Sequence, residues 1–73
     1  MSREKAKGLA KEYGLIAVEY PVQQKWIFIR MEGELPIVIT TATHLEVDMM
    51  PERLISERIM KGLITEAWGD DNV

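Results

Sequence analysis

Hydrophobic residues recur along this chain with two different periods. Ala6, Leu9, Ala10 and Tyr13 follow helical spacing with Lys and Glu on the other side, so the stretch from Ser2 to Tyr13 is predicted as a short helix. Ser2 is placed to cap its start and Gly14 to stop it in the left-handed conformation. Gly8 weakens this helix by about 1 kcal/mol relative to Ala, so packing of the Leu9 and Tyr13 face must hold it. From Leu15 the period drops to two. Ile16, Val18 and Tyr20 then lie on one side and Ala17 and Glu19 on the other, the pattern of a half-buried strand ended by Pro21. A second strand follows from Trp26 to Met31 and a third from Ile37 to about Thr41, with Glu32-Gly33-Glu34 as the hairpin turn between them.

Side-chain sorting suggests a register for that hairpin. A three-residue loop opposes Met31 to Leu35, Ile29 to Ile37 and Ile27 to Ile39, which makes one face entirely aliphatic. Trp26, Phe28, Arg30, Val38 and Thr40 fall on the opposite face. Gly33 sits in the middle of such a loop, so two- or four-residue loops remain open. Thr41 to Val47 is read as irregular with some extended character. A second helix then starts at Asp48 or Met50, with Pro51 in its first turn and Glu52 at the positive end of its dipole. Ile55, Ile59, Met60, Leu63, Ile64 and Ala67 form its apolar stripe, Gly69 stops it, and residues 70–73 are expected to fray as an acidic tail. The expected fold is α+β, a single small domain over residues 1–69 in α-β-β-β-α order. Its three-stranded antiparallel meander carries both helices on the aliphatic face.

Length sharpens this picture. With 73 residues there is material for one hydrophobic core, and a core this small barely offsets a chain-ordering cost on the order of 1.5 kcal/mol per residue. Oligomerisation is therefore expected from size alone. An apolar content of 47% beside 29% charged residues is that of a globular chain. Cysteine is absent, which removes disulfides, thiol catalysis and thiolate metal sites and suits a reducing cytoplasm. The charged Met1–Lys5 start and the short apolar runs fit neither a signal peptide nor a membrane span.

The net charge of -3 is unevenly divided: residues 1–30 carry six cations against three carboxylates, and residues 31–73 carry three cations against nine carboxylates. An acidic chain repels phosphate backbones, and the start of the last helix, Asp48-Met49-Met50-Pro51-Glu52-Arg53, lacks the basic cluster a phosphate-gripping module needs there. Arg3, Lys5, Lys7, Lys11 and Lys25 remain as a basic strip, and a nucleic-acid-binding module using them is the alternative reading.

No motif carries chemistry. His44 has no oriented nucleophile, since Ser2 is read as a cap and Ser56 lies mid-helix. One imidazole and scattered carboxylates supply no metal spacing, and the five glycines stand singly rather than in a phosphate loop. The pairs Glu32/Glu34 and Glu46/Asp48 read as a solvated turn and a helix entry, with nothing apolar placed to desolvate them and raise a pKa. No catalytic, cofactor-binding or metal-binding residue is assigned, and no cofactor is implied.

What stands out is an excess of large apolar side chains. Trp26, Phe28 and Val38 on the face away from the aliphatic row, Met49 and Met50 before the helix, and Trp68 near its solvent side are the candidate interface. The functional expectation is a small acidic cytoplasmic protein–protein interaction module. It is read as a homodimer, and as a regulator, adaptor or inhibitor of another protein, not an enzyme.

Overall fold

A computed structural model describes residues 2–68, and of Ser2 only the backbone. Six elements follow in the order α1 (Ser2–Glu12), β1 (Ile16–Tyr20), β2 (Lys25–Glu32), β3 (Leu35–Thr43), α2 (His44–Met49) and α3 (Glu52–Trp68). The strands form an antiparallel meander in the order β1-β2-β3. The α+β class is as the sequence pattern indicates, with one helix more. The expected stop at Gly69 and the acidic tail lie outside the described residues.

Local chemistry accounts for the element ends. After α1 the Leu15 amide donates to the Ala10 carbonyl at 2.7 Å and the Gly14 amide to the Lys11 carbonyl at 3.1 Å, with Gly14 at φ 70°. This paired closure is a Schellman motif, and it tucks Leu15 into the core beside Ala10. The segment read as irregular is resolved into two elements. β3 runs on to Thr43, and α2 begins at once because Thr43 and Glu46 form a capping box. Thr43 Oγ1 accepts from the Glu46 amide at 3.0 Å, and Glu46 Oε1 accepts from the Thr43 amide at 2.9 Å. Pro51, lacking an N–H, separates α2 from α3 and precedes the first turn of α3.

The hairpin between β2 and β3 corrects the expected register. Glu32 opposes Leu35, leaving Gly33 and Glu34 as a two-residue loop in which Gly33 alone has positive φ, at 62°. Glycine at the first loop position is what a type II′ turn requires, and its twist matches that of the strands. Arg30 then opposes Ile37, and Ile29 opposes Val38. An extra residue, Ile39, bulges out of β3 before Phe28 opposes Thr40 and Trp26 opposes Ala42.

The shift moves Ile37 and Ile39 onto the face of Trp26 and Phe28, and that is the face the helices cover. Ala6, Leu9 and Ala10 of α1, Val47 of α2, and Ile55 and Ile59 of α3 join Trp26, Phe28, Ile39 and Ala42 in one core. The expectation that the helices cover the aliphatic face is therefore overturned. Trp26 and Phe28, at 1% and 0% exposure, are the floor of the core rather than an open surface.

Two observations explain the choice. Aromatic side chains supply the largest area to bury, and the small Ala6 and Ala10 let α1 join their core closely. Gly62 does the same for α3: a Cβ there would collide with the Ile39 carbonyl oxygen, so glycine is what lets the helix settle on the bulge.

Candidate functional site

The strand pairing defines what the helices leave uncovered. Side chains of directly opposed residues share a face, so one open row is Ile16, Ile29 and Val38 and the next is Val18, Ile27 and Thr41. Tyr20, Lys25 and Thr43 close one end of this face, while Met31 and Pro36 close the other. Ile16, Val18, Tyr20, Met31 and Val38 are exposed, and Ile27 and Ile29 are half-buried by their strand neighbours. Lys25 is the one charged residue on the face.

The covered side of the same strands is the more polar one. Ala17 and Glu19 of β1 and Arg30 of β2 point into the helical layer, at its margins. There Arg30 donates to Glu66 at 2.7 Å, and Glu19 lies 3.7 Å from Arg3 and 3.0 Å from His44 Nε2. The sheet thus turns its polar margin inward, where partners await it, and leaves its aliphatic rows in water.

The free edges of the sheet contrast with its open face. On β3, Pro36 has no N–H to offer, the bulge at Ile39 breaks the row of backbone groups, and Arg58 Nη1 donates to the Thr41 carbonyl at 3.2 Å. On the other side β1 has only five residues and ends at Pro21. Each device discourages another strand from adding to the edge. None is found on the face.

A second apolar surface lies on the outer side of α3. Met60, Ile64 and Trp68 recur at i, i+4 and i+8 and are all exposed, while Ile55, Ile59 and Leu63 face the core. The broad stripe expected on this helix is therefore two stripes with opposite duties. Of the candidate interface residues, Val38, Met49 and Trp68 are exposed, Met50 is half-buried against the core, and Trp26 and Phe28 are buried. The six are not brought together. The open-face residues Ile16, Val18, Ile27 and Ile29 were legible as strand residues but not as surface.

One polar cluster invites a chemical reading. His44 Nε2 lies 3.0 Å from Glu19 Oε2 but out of line for a hydrogen bond, and its ring tilts at 50° against Trp26 with centroids 5.9 Å apart. Trp26 Nε1 is buried beside it without an acceptor. A histidine beside a carboxylate resembles half of a general-base arrangement, yet the nearest hydroxyl in sequence, that of Thr43, is engaged in the capping box. The cluster reads as the packed junction of β1, β2 and α2. Among the described residues no group of three or more His, Cys, Asp or Glu side chains could hold a metal ion, and no helix is long and apolar enough to cross a membrane.

The strongest charge effect belongs to the junction of α2 and α3. Arg58 Nη1 donates to Glu46 Oε1 at 2.9 Å, and this bond, with the Thr43 amide, lowers the Glu46 pKa from 4.5 to about 2. The same bond raises the pKa of Arg58. Of the basic strip on α1, Arg3, Lys7 and Lys11 share a face at i, i+4 spacing, while Lys5 turns away to donate to the Met50 carbonyl at 2.8 Å.

The fold and this surface define a small two-layer α+β domain that covers one face of its sheet. No protein-family model matches the chain, and neither does any curated protein or solved structure.

Proposed function

We propose that this chain is a protein–protein interaction module, a small homodimeric regulator, adaptor or inhibitor that works by occupying surfaces of other proteins and catalyses nothing. The observation that carries this reading is the inverted sheet: the aliphatic face of the meander is left open while its edges are guarded. The outer stripe of α3 supports it as well. That stripe lies on the helical layer and the open face on the sheet layer, so a partner on one leaves the other free. A cytoplasmic setting suits the cysteine-free composition.

The nucleic-acid reading gains nothing from the fold, since Lys5 leaves the basic strip and Arg3 is drawn toward Glu19. The test is a photo-crosslinking side chain placed at Ile29 of the full chain at its natural expression level. Discrete protein adducts are expected from Ile29 and none from Glu12, an exposed position of α1 outside both apolar surfaces. Absence of adducts from Ile29 would refute the reading.

A further inference from the structure

We infer that the occupant of the open face is the same face of a second copy, the two sheets stacked about a two-fold axis that lies in the interface and runs across the strands. This rests on the reading of that face as an interface and names its partner. The first argument is charge. The two central rows, Ile16-Ile29-Val38 and Val18-Ile27-Thr41, are uncharged, so laying the face on itself confronts no like charges where desolvation is complete. An axis between the rows exchanges them, so that each row of one copy sits on the other row of its mate.

The second argument is the polarity of the two ends. Lys25 stands at one end of the face, and Glu34 in the β2–β3 loop stands just beyond the other. An axis across the strands reverses their direction and brings Lys25 of each copy to the Glu34 end of the other, a favourable contact made in duplicate. An axis along the strands would set Lys25 against Lys25. The third argument is the guarded edges: Pro36, the Ile39 bulge and Arg58 on the Thr41 carbonyl oppose a dimer made by joining β3 to β3 and leave the faces as the way to pair.

Geometry also bounds the strength. Three strands about 4.8 Å apart and five residues of about 3.3 Å rise make a small face, which belongs at the low end of specific interfaces. The dimer should therefore form in the micromolar range and dissociate on dilution.

Light scattering and sedimentation of the full chain, from low micromolar to near-millimolar concentration, test this. The mass should rise from the 8.4 kDa of one chain toward twice that value. Ile29→Lys and Val38→Lys should each keep the parent's circular dichroism and stay monomeric throughout; Val38 is 57% exposed, so its replacement leaves the core intact. Lys25→Glu should weaken the dimer by about tenfold, and Lys25→Glu combined with Glu34→Lys should restore it. A parent that stays monomeric near millimolar concentration overturns the second copy, as does a dimer indifferent to Ile29→Lys. If that monomer still gives crosslinks from Ile29, the face is an interface for a different protein, and the homodimer falls while the interaction reading stands.

Discussion

On the covered face of the sheet, Trp26 and Phe28 join Leu9, Ile55 and Ile59 in one core, with Arg30 and Glu19 at its margins held by Glu66 and Arg3. On the open face, Ile16, Val18, Ile27 and Ile29 have only one another. The number of aliphatic side chains alone would assign these roles the other way round. A helical layer settles where shapes interlock, and here that means two bulky rings and two alanines in one core, and a glycine over a bulge. The more aliphatic face is then left open, and on the reading proposed above its flat rows suit a second association. Fit decides the inner face, and area remains for the outer one.

The sharpest way to break this comparison is a pair of truncations at adjacent positions of β2. Phe28→Ala should cost about 3–5 kcal/mol, enough to unfold a domain this small. Ile29→Ala, measured at a dilution where any dimer is dissociated, should cost far less, within about 1 kcal/mol. Chemical denaturation of both variants checks this. Equal losses would mean that both faces are covered within one chain.

A smaller effect separates the two stripes of α3. Ile59 is fully buried, and Ile59→Ala should cost about 2–4 kcal/mol. Ile64→Ala, on the outer stripe, should leave the melting temperature of the folded chain nearly unchanged. Similar losses at the two positions would show that the outer stripe is core.

Gly62→Ala probes the contact that seats α3 on β3. Alanine normally favours a helix, so on propensity alone the change would stabilise by up to about 1 kcal/mol. The added Cβ collides with the Ile39 carbonyl oxygen, and backbone yields less easily than a flexible side chain. A net loss of about 1–3 kcal/mol is expected from this overpacking. A stabilised Gly62→Ala variant, seen as a higher denaturation midpoint, would mean that α3 does not lie so close to the bulge.

Much of this architecture is legible in the chain, because period and punctuation are local. The three strands, the stop at Gly14 and the long last helix follow from the alternation at Ile16–Tyr20, a left-handed glycine and the spacing of Ile55, Ile59 and Leu63. The capping box is legible too. Thr43 followed three residues later by Glu46 is a helix-start signal, and the Thr-rich stretch around it obscures that signal. The choice of covered face is not legible, since it hangs on a two-residue loop, which turns Ile37 inward and Val38 outward, and on a bulge that adds Ile39 to the inward side. The candidate surface inherits that error. Trp26 and Phe28 look like surface residues only while Ile37 and Ile39 are placed on the other face.

The smallest effect concerns the seam between the two faces, where Arg58 binds Glu46 and caps the Thr41 carbonyl at the β3 edge. Glu46 has its pKa lowered from 4.5 to about 2 in the folded chain, chiefly by the Arg58 hydrogen bond. A carboxylate with a depressed folded pKa contributes stability that is present above its unfolded pKa and is lost as pH falls through the folded one. The parent should therefore lose this contribution between about pH 4.5 and pH 2, while Glu46→Gln, with no carboxylate there to titrate, should not. Both side chains are about one-third exposed, at 37% for Glu46 and 33% for Arg58, so solvent screening holds the difference to about 1 kcal/mol or less. Melting curves of the two proteins across that window should converge toward low pH, with the parent falling from above. Parallel curves would show that the ion pair at the edge of β3 does nothing for stability, and would leave Pro36 and the bulge as the guards of that edge.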